Sequence, residues 1–243
     1  MVKFITLSDL HYGWKPTKKD EKFTNTQQNT VKRVVEYLKT NKDVDFVSII
    51  GDLTHMGTLD QLTLLKNNCI TPIQALTKLF LINGGHDDLF NPVMQYICKN
   101  YTSDPSEKLS YWFYPEQTMT SILKTAYSRI IDGVYFFMLG NYPNKEMCDY
   151  FQMKVKQLNL TTQPIVLMFH HATDGYYSEK CWTKDERDYF YSCIKNYNVL
   201  AIYSGHEHQD VVKNFNGIPD ILAAYNKFCL SEIKDGKLTY KYL

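Results

Sequence analysis

Short apolar runs recur along the chain, and five of them end directly at polar residues, mostly aspartate or histidine. Runs of this length are typical of strands that are buried in a sheet. The third run stops at Asn83-Gly84-Gly85, where a permissive backbone can turn sharply before His86. The five predicted strands are Phe4–Ser8, Phe46–Ile50, Leu79–Ile82, Ile165–Phe169 and Leu200–Ser204.

Helical patterns separate these runs. Val31, Val34 and Leu38 repeat at helical spacing and predict a helix from about Asn25 to Asn41, after a polar loop over Asp9–Thr24. Further helices are predicted over Thr58–Leu65, Pro72–Lys78, Pro92–Asn100, Met147–Leu158 and Trp182–Asn196, the last with a capping box of Thr183 and Glu186. Alternation of strands and helices predicts right-handed crossovers and a largely parallel central sheet.

Aspartate-glycine and asparagine-glycine pairs predict β-hairpins elsewhere. Asp132-Gly133 lies between two apolar runs, Tyr127–Ile131 and Val134–Leu139. Asn216-Gly217 and Asp235-Gly236 predict antiparallel strands in the tail, Asp210–Leu243.

Composition narrows the class of protein. The 243 residues are 44% hydrophobic with a net charge of +1, which suits an α/β protein with one domain over residues 1–243 and gives no signal for nucleic-acid binding. No apolar run reaches transmembrane length. Met1 enters the first strand at once, so we expect no signal peptide and a cytoplasmic protein. The six cysteines lack zinc-finger spacing and are expected to be reduced, with a Cys181–Cys193 pair as the alternative in an oxidising compartment.

Histidines concentrate at the predicted strand ends, because six of the seven lie in these segments and only His55 does not. Ligands bind at the carboxyl ends of strands in α/β sheets, and imidazole with carboxylate suits Mn, Fe, Co, Ni and Zn. The candidate metal ligands are Asp9, His11, Asp52, His170, His206 and His208. Each alone has a structural explanation, but the joint pattern favours a metal site in which Asp52 bridges two ions. His55 and His171 are interpreted as structural, although His171 could line the pocket.

These motifs carry a family resemblance. They are Asp9-x-His11, Gly51-Asp52, Gly84-Gly85-His86-Asp87, His170 and Gly205-His206-x-His208, and they resemble the calcineurin-like metallophosphoesterase superfamily. The resemblance implies a four-layer α/β/β/α sandwich with two mixed sheets. It also implies hydrolysis of phosphate mono- or diesters, as by a phosphatase or phosphodiesterase, through a hydroxide that bridges two metal ions (Mn, Fe or Zn).

The resemblance implies a role for each residue that matches a position of the family's motifs. One metal ion would take Asp9, His11, Asp52 and His208, and the other would take Asp52, His170 and His206. His86 would contact the phosphate or protonate the leaving oxygen, and Asp87 would orient His86.

One position departs from the family pattern. Gly85 stands where the family has an asparagine that binds the second metal ion and contacts phosphate. Water, Asn83 or Asp88 could fill the position, and the hypothesis is that the second ion binds more weakly or needs substrate to complete its ligand shell.

The ligand set favours a metal-dependent phosphoesterase. Gly85 favours the alternative of a catalytically weak or inactive binding or scaffold protein. A nuclease is the third possibility, and the near-neutral net charge disfavours it. The substrate stays open. Aromatic residues in segments that could surround the site are Tyr12, Trp14, Trp112, Tyr142, Tyr176 and Tyr177, and the aromatic run Tyr111–Tyr114 could wall a pocket.

Overall fold

Two mixed β-sheets lie at the centre of the molecule. The computed structural model describes residues 1–14, 21–88, 91–101 and 126–243. The first sheet contains β1 (Val2–Leu7), β2 (Phe46–Ile50), β3 (Lys78–Ile82), β10 (Cys229–Lys234) and β11 (Lys237–Tyr242), in the order β11-β10-β1-β2-β3. The second contains β4 (Tyr127–Ile131), β5 (Val134–Met138), β6 (Ile165–His171), β7 (Val199–Gly205), β8 (Asp210–Phe215) and β9 (Ile218–Ala223), in the order β4-β5-β6-β7-β9-β8.

Helices cover the outer face of each sheet. The first sheet carries α1 (Glu21–Thr40), α2 (Leu59–Leu65), a π-helical turn (Lys66–Ile70), α3 (Thr71–Gln74) and α4 (Asn91–Tyr101). The second carries α5 (Lys145–Gln157), α6 (Ser178–Cys181) and α7 (Lys184–Ile194). The predicted four-layer sandwich is confirmed. Within the described ranges, no helix combines the length and apolar character needed to cross a membrane.

Strand directions agree with the predicted pattern. β1, β2 and β3 are parallel to one another, as are β5, β6 and β7. The tail forms the two predicted antiparallel hairpins, β8–β9 and β10–β11, and β9 also pairs in parallel with β7, which was not predicted. Both sheets are therefore mixed, rather than one largely parallel sheet.

The ends of the helices show how well local sequence signals predict helix boundaries. Thr183 and Glu186 form the predicted capping box at the start of α7. By contrast, α1 begins at Glu21, four residues before the predicted Asn25, so the predicted polar loop over Asp9–Thr24 is shorter. Its residues 15–20 lie outside the described part of the chain.

An aromatic cluster joins the two sheets. Phe4 of β1 stacks on Phe46 of β2 at 5.0 Å between ring centroids. From the second sheet, Phe136 meets Phe4 edge-on at 5.3 Å and Phe46 at 5.0 Å, and Tyr203 meets Phe4 at 5.3 Å. All four side chains are buried. This contact sets the spacing of the sheets and therefore of the strand ends that carry the candidate ligands.

Replacing Phe136 with alanine tests this contact. We expect a loss of about 3–5 kcal/mol in the free energy of unfolding, because the change removes transfer energy and opens a cavity between the sheets. Urea denaturation would measure it. The control is Tyr240→Ala on β11, where the side chain is 41% exposed and the expected change is within about 0.5 kcal/mol. Equal losses in the two variants would contradict the role given to Phe136.

Candidate metal centre

All six predicted ligands meet where strands of the two sheets end. Asp9 and His11 follow β1, Asp52 follows β2, His170 lies near the end of β6, and His206 and His208 follow β7. Their donor atoms fall into two groups, Asp9–His11–His208 and Asp52–His170–His206, and within each group they lie within 4.8 Å of one another. The resemblance implies the same division except that it assigns Asp52 to both sets, and the assignment of ligands to ions stays a prediction.

The carboxylate of Asp52 lies between the two groups. Its Oδ2 is 3.2 Å from Nε2 of His170 in its own group and 3.6 Å from Nε2 of His11 in the other. Its Oδ1 accepts the backbone N–H of His86 at 3.0 Å. The side chain is 2% exposed, so its charge is balanced by neighbouring groups rather than by water.

The orientation of His170 is fixed by the backbone. Its Nδ1 lies 3.0 Å from the carbonyl oxygen of Ile50. Because a carbonyl can only accept, Nδ1 carries the proton and donates. Nε2 is buried and faces Oδ2 of Asp52 at 3.2 Å. A carbonyl that holds one ring nitrogen while the other faces inward is the usual arrangement behind a metal-binding histidine.

Electrostatics favour two ionised carboxylates in this buried site. Burial opposes ionisation of Asp9, but His170 and His208 outweigh it and lower the pKa. Burial likewise opposes ionisation of Asp52, but His170 and His11 hold its pKa well below the usual value. Burial lowers the pKa of His170, but Asp52 and Asp9 outweigh it and raise the pKa to about 10. A metal ion would therefore displace a proton from His170.

Five of the six candidate ligands, all but His170, share a rare backbone conformation. The φ angles are 59° at Asp9, 44° at His11, 46° at Asp52, 67° at His206 and 51° at His208. Side chains other than glycine rarely adopt this left-handed region, and such strain collects at functional sites. Here the left-handed conformation turns successive side chains of each loop toward the same centre.

Two glycines allow close approach around these ligands. A Cβ at Gly84 would lie 2.2 Å from both the backbone nitrogen and Oδ1 of Asp52. A Cβ at Gly51 would lie 2.3 Å from Nδ1 of His170. Neither neighbour can move without disturbing the site, so a side chain at either position is excluded.

Gly85 differs from these glycines. Among the described residues, a Cβ there would meet only Nδ2 of Asn141 within 4 Å, at 3.8 Å, which is an ordinary contact. The turn therefore leaves space for a side chain at the position where the family has asparagine.

The amide of Asn141 borders this space. Its backbone carbonyl accepts the N–H of His171 at 2.8 Å, and its Oδ1 is buried without a hydrogen bond among the described residues. Asn141 was not predicted as a site residue, although it follows the apolar run Val134–Leu139 just as the other site residues follow theirs. Asn83 lies buried beside Asn141 in a small cavity, whereas the side chain of Asp88 lies outside the described residues.

His86 and Asp87 occupy the turn after β3. Nδ1 of His86 lies 2.7 Å from the carbonyl of His55, so this nitrogen donates. The carboxylate of Asp87 accepts backbone N–H groups of Leu53 at 3.1 Å, Thr54 at 2.9 Å and Gly84 at 2.9 Å. Burial and nearby Asp52 raise the pKa of Asp87 to about 6. These bonds tie the turn to the loop after β2, and the orienting role of Asp87 toward His86 stays a prediction.

His55 and His171, interpreted as structural from the sequence, both lie against candidate site residues. The His55 ring stacks on His86 with centroids 5.1 Å apart and on Trp14 at 5.5 Å. The His171 ring stacks on His206 at 4.0 Å with an interplanar angle of 10°. All seven histidines therefore surround one centre, which sequence spacing did not indicate for His55.

The aromatic residues that the sequence suggested around the site differ in burial and in their distance from the site. Tyr12 is 4% exposed and belongs to the core, so it is unsuited to reach substrate. The Trp14 ring stacks on His55, and the Tyr142 ring packs against His171. The ring centroid of the exposed Tyr177 lies 6.2 Å from that of His206. The segment Tyr111–Tyr114, which contains Trp112, lies outside the described residues, while Tyr176 is exposed.

Comparison with known proteins places the fold. The family model of the calcineurin-like phosphoesterases matches residues 2–210, and no curated protein matches the chain. Similar solved structures include a dimetal phosphatase from Danio rerio, with a TM-score of 0.70 and 10% identity over 99% of this chain and 95% of that chain. GAP50, described as the anchor in the inner membrane complex of Plasmodium, has a TM-score of 0.61 and 13% identity over 100% of this chain and 84% of that chain.

A purple acid phosphatase from yellow lupin (Lupinus luteus) has a TM-score of 0.57 and 15% identity over 99% of this chain and 51% of that chain. At such identities these structures share the fold alone. Because the family model covers most of the sequence, this protein belongs to the calcineurin-like phosphoesterase family.

Proposed function

We propose that the protein is a phosphoesterase that hydrolyses phosphate mono- or diesters at a centre of two metal ions. The observation that carries this proposal is the position of the Asp52 carboxylate between two groups of donor side chains. A carboxylate can be shared by two ions, and Oδ2 of Asp52 is the oxygen that lies near donor atoms of both groups. Membership of the phosphoesterase family supports the reaction class.

The donor set fits ions of borderline hardness. Imidazole and carboxylate donors together suit Mn, Fe and Zn. Asp9, His11, Asp52 and His208 would hold one ion, and Asp52, His170 and His206 would hold the other. When bound, two such ions stabilise negative charge on phosphoryl oxygens and make an attacking water more acidic.

His86 is the candidate general acid. Its ring centroid lies 4.8 Å from that of His11, so the ring borders the proposed centre. Donation from Nδ1 to the His55 carbonyl fixes the ring and leaves Nε2 for the substrate. Through Nε2, His86 would contact the phosphate or protonate the leaving oxygen. Asp87 would act as a positioning residue that holds the turn carrying His86.

Replacing His86 with alanine tests this role. We expect kcat for a simple aryl phosphate to fall by about a hundredfold or more, because positioned proton transfer contributes about 10²–10⁴ in rate. Metal content should stay unchanged, since His86 belongs to neither proposed ligand set. The comparison is His55→Ala, which keeps the backbone carbonyl that holds His86 and should lose less than about tenfold. The role is refuted if His86→Ala keeps both wild-type activity and wild-type metal content.

Replacing Gly85 with asparagine tests the open position beside Asp52. The space there accommodates a Cβ without a clash. We expect Gly85→Asn to bind the weaker of two Mn²⁺ ions more tightly than the wild type does, because it adds an oxygen donor next to the Asp52–His170–His206 group. Calorimetric titration would measure both affinities. Gly85→Ala is the matched control, since it fills the same space without a donor. Identical titrations for the two variants would contradict this account.

A binding or scaffold protein is the second candidate function. Gly85 favours it, because an amide donor is missing at that position, and the fold also occurs in GAP50, which is described as an anchor. Under this alternative, the wild type shows no metal-dependent hydrolysis of aryl phosphate mono- or diesters, and His86→Ala changes nothing. Hydrolysis that a chelator abolishes and added Mn²⁺ restores would exclude it.

A further inference from the structure

In the part of the chain that the structure describes, no hydrogen bond fixes the orientation of the His206 ring. The hydrogen bonds of His206 there are those of its backbone N–H to the carboxylate of Asp9, at 3.1 and 3.2 Å. His170, in the same donor group, is held differently, because its Nδ1 donates to a backbone carbonyl. A metal-binding histidine is usually oriented by such a bond at its second ring nitrogen. The orientation of the His206 ring therefore depends on another kind of contact.

The ring of His171 supplies this contact. It lies parallel to the His206 ring, with an interplanar angle of 10° and a distance of 4.0 Å between ring centroids. Carbon atoms attract each other best at about 3.5–4.0 Å, so the two ring faces are in direct contact. The χ2 torsion of a histidine has only broad preferences of its own. Rotation of His206 about this torsion would drive its ring edge into the face of His171, so the stack decides the torsion.

His171 is itself fixed by the fold. It is the last residue of β6, and its side chain is 3% exposed. Its backbone N–H donates to the carbonyl of Asn141 at 2.8 Å. In the parallel ladder between β6 and β7, His171 pairs with Gly205, the residue directly before His206. The two rings therefore leave neighbouring strands side by side.

Further rings support His171 from the core of the second sheet. The Tyr142 ring packs against His171, with centroids 5.2 Å apart. The Trp182 ring lies 6.1 Å from that of Tyr142 and is completely buried. A row of ring contacts thus leads from the core to the candidate ligand His206. Because this row is packed, His171 cannot move aside and release the ring of His206.

The stack also separates the roles of His171 and His206. A metal ion binds an imidazole in the plane of the ring, along the lone pair of a nitrogen. Two parallel rings 4.0 Å apart cannot both place such a lone pair on one ion. Nδ1 of His171 is buried and has no hydrogen bond among the described residues, so this nitrogen contributes no polar contact. His171 acts on His206 through the face of its ring.

We propose that His171 is a positioning residue, which holds the ring of His206 in the orientation that binds the second metal ion. The inference rests on the proposed function, in which Asp52, His170 and His206 hold that ion. A ring that is held in advance loses less conformational entropy when metal binds. Loss of the residues that orient metal-binding histidines lowers metal affinity about 10–100-fold. Here the loss would fall on one ion, because His206 belongs to one ligand set.

Calorimetric titration with Mn²⁺ tests this role without any need for turnover. We expect His171→Ala to lose about tenfold or more in affinity for one of the two ions and to keep the affinity for the other. His171→Phe should match the wild type, because it keeps a flat ring and lacks only nitrogen atoms. The control is His55→Ala, which removes a ring that stacks on His86, outside both ligand sets. It should not reproduce the loss.

The comparison of these variants decides the role. Equal affinities in His171→Ala and the wild type would overturn it. An equal loss in His171→Phe and His171→Ala would also overturn it, because a nitrogen and not the ring face would then matter. If circular dichroism shows that His171→Ala is unfolded, His171→Leu takes its place, since leucine fills the buried volume without a flat face. A wild type that binds fewer than two ions would overturn the role as well, whereas two bound ions without hydrolysis would contradict the proposed function alone.

NMR spectroscopy of the metal-free protein tests the stack itself. A ring face shifts the protons that lie above it upfield. We expect the ring protons of His206, assigned by their loss in His206→Gln, to be shifted upfield in the wild type and in His171→Phe. In His171→Ala they should move downfield, with all spectra recorded at the same mildly alkaline pH. Unchanged His206 signals in His171→Ala would show that the rings are not stacked and would overturn the proposal.

Discussion

The site depends on one buried carboxylate, that of Asp52. It lies on a left-handed backbone after β2, with His170 on one side of Oδ2 and His11 on the other, while Oδ1 accepts the N–H of His86. A buried carboxylate is stable only with charged or donating partners around it. Strands from both sheets supply these partners, so the packing of the sheets and the geometry of the site are parts of one arrangement.

This dependence explains why the residues around Asp52 leave little space for substitution. Gly84 has no space for a Cβ because Asp52 fills it. Asp87 binds the backbone of Leu53 and Thr54, directly after Asp52, and so fixes the loop and the turn against each other. Gly85, one residue further along, faces open space and the amide of Asn141. Gly85 is therefore a position in this turn that has space for a side chain, and the effect of adding a donor there bears on the choice between the enzymatic and the scaffold interpretation.

The sequence carries much of this arrangement because strand ends are a local signal. An apolar run followed by aspartate or histidine can be read without knowing the fold, and all six candidate ligands follow such runs. The choice of His170 over His171 rested on the family resemblance. His55 was not placed near the site, because it enters through a loop whose course depends on contacts with Trp14 and His86. The proximity of Cys181 to His206 was not predicted, because it depends on contacts of Glu207 with the start of α6 across the fold. Pairing of β9 with β7 was missed for the same reason, because sheet order is a long-range property.

The most direct test of the central claim is the number of metal ions per chain, measured by equilibrium dialysis against Mn²⁺ at a concentration that saturates the weaker site, followed by elemental analysis. Since Asp52 lies between the two groups, the account predicts two ions in the wild type, one in His208→Ala, and fewer than one in Asp52→Ala. Folding of each variant would be checked by circular dichroism. A wild type without bound metal, or a folded Asp52→Ala protein that keeps both ions, would contradict the account.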